Sequence, residues 1–241
     1  MLYLLTATGA RPEAWAICER LMERQDYAGP VVWVIVDDGP DPQPISFRKK
    51  GWQVQIISPR PLWQDGQNTQ ARNLLAGLNV IPSEASIVIA EDDDWYAPDW
   101  LTVCDNALQH VELVGEAPAR YYNVAQLRWR VMGGIKHASL CATAMRGSTL
   151  STFRQVCETR EKFIDMTLWR STRDKRLVEG RRVVGIKGLP GRPGIGIGHY
   201  KQFNGTADPE GDVLREWIGD DADLYLAHRH AASGQVVAAT G

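Results

Sequence analysis

The fold is decided by one stretch, Ser86-Ile87-Val88-Ile89-Ala90-Glu91-Asp92-Asp93-Asp94. Its apolar half is typical of a buried strand in a parallel sheet, where both faces are covered and alternation is lost. Its acidic half then lies at the carboxyl end of that strand, where open α/β sheets bind ligands. Four adjacent carboxylates repel one another unless water or a cation compensates them. Because Trp95, Tyr96 and Pro98 follow instead of further charge, we interpret the run as a site for Mg²⁺ or Mn²⁺ rather than as solvated surface.

The first half of the chain alternates between strand and helix patterns. Apolar runs predict strands over Tyr3–Thr8, Val31–Val36, Trp52–Ile57 and Ile87–Ala90, and one-sided apolar spacing predicts helices from Pro12, over Asn68–Leu78 and over Pro98–Val111. This alternation predicts βαβ units and a largely parallel sheet. The second strand also ends in acids, Asp37-Asp38, so we expect both acidic clusters at one edge of the sheet.

The second half has a different character. Arg120–Val131 is typical of an exposed or antiparallel strand, and further elements are predicted as helices over Thr149–Cys157, Phe163–Arg173 and Val213–Ile218 and a strand over Arg182–Ile186. The glycine-rich stretch 188–198 must be a loop, which we expect to close over a bound ligand. We predict a single domain over 1–241, with a first half (1–111), a second half (112–203) and a C-terminal extension (204–241) whose last residues lack order.

The composition limits the class of protein. A net charge of −2 over 241 residues gives no global basic field for nucleic acid. Four widely spaced cysteines indicate a reducing compartment rather than disulfides or a zinc site. We find neither a signal peptide nor a stretch long enough to span a bilayer, and therefore expect a cytoplasmic protein, in the host cytoplasm if the source is viral. Nine tryptophans are consistent with core packing or with stacking on sugars. The sequence leaves the oligomeric state open.

Several short segments, in this order and spacing, resemble the nucleotide-sugar-dependent glycosyltransferases of GT-A fold, in particular the inverting group called family 2. The resemblance covers about residues 3 to 200, and the segments are Thr6-Ala7-Thr8-Gly9-Ala10-Arg11-Pro12, Asp37-Asp38-Gly39, Gln67-Asn68-Thr69-Gln70-Ala71-Arg72-Asn73, Glu91-Asp92-Asp93-Asp94-Trp95-Tyr96-Ala97-Pro98, Phe163-Ile164-Asp165 and His199. It implies an α/β fold with a mainly parallel sheet flanked by helices and a small antiparallel portion on the acceptor side. It makes residues 1–111 the nucleotide-sugar-binding half and residues 112–203 the acceptor half. The family's acidic motif begins with Asp, whereas Glu91 stands here, so the matching pair is Glu91 with Asp93 or, one residue later, Asp92 with Asp94.

The resemblance also implies the ligands. The donor is a nucleoside diphosphate sugar, with a uridine diphosphate sugar favoured, and the cofactor is Mn²⁺ or Mg²⁺. The residues that it assigns to the donor are Thr6, Thr8, Gly9, Arg11, Asp37, Asp38, Asn68, Arg72, Asp92, Lys187 and Arg192; those that it assigns to the metal are Glu91, Asp93, Asp94 and His199. Asp38, ahead of Asp37, accepts hydrogen bonds from the base or ribose, while Arg72 either touches phosphate or braces an acidic loop.

Catalysis is assigned to Asp165, which the resemblance makes the base that deprotonates the acceptor hydroxyl; Glu158 and Glu161 are the reserve candidates. The acceptor is a glycan or, as in some viral enzymes, a hydroxymethylated base in DNA. Basic residues and aromatic residues interleave in the acceptor half, as a polyanion would require; they are Arg120, Arg128, Arg130, Lys136, Arg146, Arg154, Arg160, Arg170, Arg173, Lys175 and Arg176, with Tyr121, Tyr122, Trp129 and Trp169. The alternatives are a non-catalytic nucleotide- or sugar-binding relative and a nucleotidyltransferase of similar fold.

Overall fold

The structure is a computed structural model that describes residues 1–132, 136–160, 162–194 and 203–229. The strands are β1 Leu2–Thr8, β2 Val31–Asp37, β3 Trp52–Ile57, β4 Ser86–Ile89, β5 Trp95–Tyr96, β6 Leu113–Glu116, β7 Arg120–Asn123, β8 Arg128–Val131, β9 Thr143–Met145, β10 Lys175–Val178, β11 Val183–Lys187 and β12 Thr206–Ala207. The helices are α1 Pro12–Glu23, α2 Gln70–Leu78, α3 Trp100–Leu108, α4 Ser148–Thr159, α5 Ile164–Ser171, α6 Asp212–Ile218 and α7 Ala222–Leu226, with 3₁₀ turns at Leu140–Ala142 and Gly219–Asp221.

The larger sheet has seven strands in the order β10-β6-β9-β4-β1-β2-β3. Strands β4, β1, β2 and β3 run parallel to one another, and every residue of β2 is buried. This confirms the predicted mainly parallel sheet, since buried strands without alternation are its signature. The short strand β9 lies antiparallel between β4 and β6.

Helices cover both faces of this sheet. The ring of Trp15 in α1 stacks on that of Trp33 in β2, with centroids 5.3 Å apart. Gly77 in α2 instead lies against the side chains of Leu5 and Val36. Because side chains alternate along a strand, Trp33 and Val36 point to opposite faces of the sheet. Helices α1 and α2 therefore pack on opposite faces. Several tryptophans therefore serve the core; those fully buried are Trp15, Trp33, Trp100 and Trp169.

A second, smaller sheet forms in the acceptor half, in the order β12-β8-β7-β11-β5. The predicted strand Arg120–Val131 is in fact a hairpin, because residues 124–127 turn and Leu127 adopts a positive φ of 48°. The predicted helices over Thr149–Cys157, Phe163–Arg173 and Val213–Ile218 are present as α4, α5 and α6, within a residue or two of their predicted bounds. Strands β6, β9 and β10 are absent from the sequence-based assignment.

One continuous cluster of buried apolar side chains includes residues of both sheets and of all seven helices. None of the helices in the described ranges combines the length and the apolar composition needed to cross a lipid bilayer.

Candidate functional site

The acidic residues meet at the carboxyl edge of the larger sheet. Thr8, the last residue of β1, pairs with Asp37 at the end of β2, and Ala90 extends β4 by donating its amide to Leu5 O at 3.0 Å. The turn after β1 passes very close to the turn after β2: a Cβ on Gly9 would lie 2.6 Å from Asp38 Oδ1. Gly9 also has φ +145°, so both space and backbone conformation require glycine at this point.

Arg11 forms ion pairs with two of the four clustered acids. Its Nη1 donates to Asp92 Oδ1 at 2.5 Å and its Nη2 to Asp93 Oδ2 at 2.6 Å, while Thr8 Oγ1 donates to Asp92 Oδ2 at 2.7 Å. Burial disfavours the charged guanidinium, but Asp92 and Asp93 outweigh it and raise the pKa of Arg11. Burial likewise raises the pKa of Asp92 to about 6, although Arg11 opposes the shift. These two carboxylates are therefore engaged by a side chain of the protein itself.

The other two acids of the run meet a cysteine. One carboxylate oxygen of Glu91, one of Asp94 and the sulfur of Cys141 all lie within 4.8 Å of one another. Asp94 is 1% exposed; its Oδ1 accepts the amide of Ile186 at 2.7 Å. Among the described residues, its buried Oδ2 has no hydrogen-bond partner, while the Cys141 thiol, a weak donor, interacts with the same carboxyl group.

Ionisation of these three groups is unfavourable when no metal ion is bound. Burial, reinforced by Asp94, raises the pKa of Glu91 to about 8, and burial, reinforced by Asp93, raises that of Asp94 to about 7. Burial also raises the pKa of Cys141, with Asp94 and Glu91 adding to the effect. Each shift has the same cause, because a further negative charge is unfavourable in a buried site that already holds several.

Lys187, at the end of β11, is the second cation beside the run. Asp94, Asp93 and Glu91 raise its pKa against the effect of burial, and its Nζ lies 5.5 Å from the centroid of the Tyr121 ring. If all four acids of the run ionise, Arg11 and Lys187 leave two negative charges in surplus within the described part of the cluster. Arg192, the next cation, is itself paired with Asp38.

Asp38 forms a second centre, fully buried between three donors. Its Oδ2 accepts Thr69 Oγ1 at 2.5 Å and Arg72 Nη2 at 2.8 Å, and its Oδ1 accepts Arg192 Nη1 at 2.6 Å. The Arg192 guanidinium lies 4.6 Å from the centroid of the Trp63 ring. Arg72 thus contacts the acidic loop after β2, and its contact with phosphate stays a prediction.

Three other residues assigned to the donor have local partners. Asp37 accepts the amides of Gly39 at 2.9 Å and Gln43 at 2.7 Å, and so shapes the loop after β2. Thr6 is fully buried and accepts the indole N–H of Trp33 at 3.0 Å. Asn68 Oδ1 accepts the amide of Gln70 at 3.2 Å, immediately before α2. No described contact tests their assignment to the donor, which stays a prediction.

The glycine-rich segment closes on the first turn. Arg192 N donates to Ala10 O at 3.0 Å, and Gly191, at φ +89°, has no room for a Cβ, which would lie 2.8 Å from Ala10 O. The segment therefore brings Arg192 across the edge of the sheet to Asp38. His199, assigned to the metal, lies outside the described residues, as does the reserve base Glu161.

Asp165 lies in the first turn of α5, partly buried, and its Oδ1 accepts the amide of Met166 at 2.8 Å. Helix α5 is anchored beside β9, since Trp169 Nε1 donates to Thr143 Oγ1 at 3.2 Å. The assignment of Asp165 as base stays a prediction. The reserve candidate Glu158 is exposed on α4.

Part of the basic and aromatic set of the acceptor half is not available to a ligand. Trp169 is 1% exposed and Tyr122 is fully buried, with its hydroxyl donating to Asp208 Oδ2 at 3.0 Å, so neither can stack on a base. Arg154 donates to Leu78 O at 2.8 Å, and the Arg120 guanidinium lies over the Trp217 ring. These four residues serve contacts within the protein, whereas most of the other basic residues of the set are exposed.

Two features of the site were not found from the sequence. Cys141 reaches the acids through β9, a three-residue strand without a detectable pattern. Trp63 lies in a loop, two residues after Pro61, and nothing in the sequence there indicates its contact with Arg192. Thr69, by contrast, lies inside a segment already identified through the resemblance.

No protein-family model and no curated protein sequence matches this chain. Solved structures do. TarS 1-349 of S. aureus in complex with UDP-GlcNAc has a TM-score of 0.53 and 10% identity, with 80% of this chain and 60% of that chain covered. The complex of TarS 1-349 with UDP has a TM-score of 0.53 and 8% identity, with 77% of this chain and 60% of that chain covered. A longer TarS chain has a TM-score of 0.52 and 9% identity, with 77% of this chain and 36% of that chain covered. This chain thus spans 60% or less of their length. The likeness shows the fold, and it confirms the GT-A-like architecture.

Proposed function

We propose that this chain is a glycosyltransferase that moves a sugar from a nucleoside diphosphate sugar to a hydroxyl acceptor. The observation that carries the proposal is the unbalanced acidic cluster, in which Asp94 Oδ2 is buried without a nitrogen or oxygen donor among the described residues. The GT-A-like fold supports it, as do the UDP and UDP-GlcNAc complexes of the similar TarS structures.

A divalent cation fits the donor set on this edge. Glu91 and Asp94 offer carboxylate oxygens close enough together to share one ion, and such oxygen ligands suit a divalent cation. Asp92 and Asp93 are less suited, because Arg11 already bonds both. When bound, the cation would neutralise the charge that develops on the leaving diphosphate. We therefore revise the metal set to begin with Glu91 and Asp94.

Lys187, Arg192 and Asp38 provide further contacts to the nucleoside diphosphate sugar. Lys187 and Arg192 supply positive charge on either side of the proposed diphosphate position, and charge-assisted hydrogen bonds are the stronger kind. Asp38 accepts hydrogen bonds from the nucleoside, for which Arg192 must first release its Oδ1. We also propose that the nucleoside of the donor is uridine.

We assign the proton transfer to Asp165. The acceptor O–H proton passes to its carboxylate as the acceptor oxygen attacks the anomeric carbon, and the bond from sugar to diphosphate breaks on the opposite side. This single displacement inverts the anomeric centre, through a transition state with oxocarbenium character. Helix α5 lies beside β9, and β9 leads back to Cys141 and the acidic run, which supports this assignment.

The acceptor that we propose is a hydroxyl group of a glycan. A nucleic-acid acceptor would need accessible aromatic rings for its bases, and Trp169 and Tyr122 are in the core. An open pocket beside β8, lined by Arg128, Trp129 and Arg130 among others, is a candidate subsite for an acceptor other than a glycan.

A thermal-shift experiment tests the proposal. UDP with Mn²⁺ is expected to raise the melting temperature by about 5–10 °C at 100 times the dissociation constant. Asp94→Asn should lose the Mn²⁺-dependent part, while Asp65→Asn, an exposed acid, should keep it. Release of UDP from UDP-GlcNAc in the presence of glycan acceptors then tests transfer. Equal shifts with and without Mn²⁺, or an unchanged Asp94→Asn variant, would contradict the metal site.

A further inference from the structure

We infer that Cys141 is a third protein ligand of the cation, and that its thiolate makes the site prefer thiophilic divalent ions over Mg²⁺. The inference rests on the proposed function, because it concerns the cation that serves the same donor. It changes the expected metal chemistry, since carboxylates alone suit Mg²⁺ and Mn²⁺ equally well.

The pairing of two strands brings Cys141 near Glu91. Strand β9 pairs antiparallel with β4, with Met145 opposite Ile87 and Ala144 opposite Val88. The residues just before β9 therefore lie beside those just after β4, and the Cys141 sulfur lies within 4.8 Å of a carboxylate oxygen of Glu91. The 3₁₀ turn Leu140–Ala142 holds the cysteine at this position.

A second, independent observation points to a ligand among the three. Asp94 is 99% buried; its Oδ1 accepts the amide of Ile186, its Oδ2 has no hydrogen-bond partner among the described residues, and one of its carboxylate oxygens lies within 4.8 Å of the Cys141 sulfur. A buried carboxylate oxygen without a donor is unfavourable, above all when the group is charged. A cation between Asp94, Glu91 and Cys141 would remove that cost and would use the sulfur as well.

The chemistry of the bond is simple. Cys141 enters as the thiol, the cation displaces the S–H proton to the buffer, and a metal–sulfur bond forms with no change in oxidation state. Thiolates favour soft ions such as Cd²⁺ and borderline ions such as Zn²⁺, whereas Mg²⁺ is bound almost entirely through oxygen. The selectivity of the site for Cd²⁺ over Mg²⁺ therefore reports whether the sulfur is a ligand.

The test uses the full chain with Cd²⁺ or Mg²⁺ alone, in the presence of a phosphine reductant. Cd²⁺ should produce a thiolate-to-metal charge-transfer band in the ultraviolet, saturating at one equivalent, and calorimetry should give its affinity. In Cys141→Ser the band should vanish and the Cd²⁺ affinity fall by at least about tenfold, while Mg²⁺ affinity stays within about threefold. Cys157→Ser is the matched control, since its thiol is also 4% exposed but lies in α4.

Two outcomes would overturn the inference, and they are distinguishable. If Mn²⁺ binds and Glu91→Gln abolishes that binding, but the wild type gives no charge-transfer band with Cd²⁺, the cation site stands and Cys141 is not its ligand. If none of these ions binds, the cation of the proposed function fails as well. Because serine is nearly isosteric with cysteine, Cys141→Ser should fold; its melting temperature checks this, and Cys141→Ala provides a second variant.

Discussion

The guanidinium of Arg192 donates a hydrogen bond to Asp38 Oδ1 at 2.6 Å, although the two residues are 154 positions apart in the chain. The same guanidinium lies 4.6 Å from the centroid of the Trp63 ring and donates to Thr69 Oγ1 at 2.6 Å. A segment from the end of the second half thus closes over the first half of the chain, at the point where we place the donor nucleoside.

Replacement of Arg192 by alanine is expected to weaken UDP binding. The variant loses a charge-assisted donor next to the proposed diphosphate position, which is typically worth about 1.5–3 kcal/mol, or roughly a 10- to 100-fold higher dissociation constant. Isothermal titration with UDP and Mn²⁺ measures the change. Arg181→Ala, an exposed arginine, is the control and should bind as the wild type does. An unchanged dissociation constant for Arg192→Ala would show that this arginine does not serve the donor.

Arg11 is expected to be essential for stability. Its removal leaves Asp92 and Asp93 buried without their cation, and breaking such a buried pair costs about 3–5 kcal/mol. We expect Arg11→Ala to lower the free energy of unfolding by this amount in urea. The surface pair Arg215–Asp223 is the control, because Arg215→Ala should cost at most about 1 kcal/mol.

A double-mutant cycle extends this prediction. Combining Arg11→Ala with Asp93→Asn should restore part of the loss, since the second substitution removes one of the two carboxylate charges that Arg11 bonds in the wild type. Strict additivity of the two changes would mean that the salt bridge contributes nothing to folding.

The parallel half of the fold was predictable and the site was only partly so. Strands β1, β2 and β4 are mainly apolar runs that lead into polar residues, and such runs can be recognised one at a time. Strand β9 has three residues and no period, so neither its place beside β4 nor the proximity of Cys141 to Glu91 could be foreseen. The acidic run itself turns at residues 92–94, and a turn sends consecutive side chains in different directions. For this reason Glu91 comes together with Asp94, in neither of the two pairings that the sequence suggested.

The stability of the cation-free protein is expected to fall as the pH rises from 6 to 8. The pKa values of Glu91 and Asp94, about 8 and about 7, lie above their ordinary values of 4.5 and 3.8. At pH values between the ordinary pKa and the raised pKa of each group, the folded protein therefore holds more protons than the unfolded chain. The stability that the folded protein has at lower pH is lost as the pH rises through the raised pKa values and the acids ionise. We expect a loss on the order of 1–3 kcal/mol, measured by urea unfolding in a chelator.

Glu91→Gln provides the check on that pH dependence. A neutral amide cannot ionise, so the variant should be more stable than the wild type at pH 8 without cation, and its stability should depend less on pH. Glu84→Gln, an exposed glutamate just before β4, should behave as the wild type does. A Glu91→Gln variant with the same pH slope as the wild type would show that the raised pKa of this group does not govern the transition.

Asp165→Asn should separate catalysis from donor binding. Asparagine keeps the size of the side chain and its place in the first turn of α5 but cannot accept the acceptor proton, so transfer should fall by about 10²–10⁴-fold. UDP affinity with Mn²⁺ should stay at the wild-type value, because Asp165 has no role in holding the diphosphate. Glu158→Gln is the control, since the exposed glutamate on α4 is expected to be dispensable. Transfer lost together with UDP binding would indicate a structural role for Asp165, and unchanged transfer would move the base to another residue.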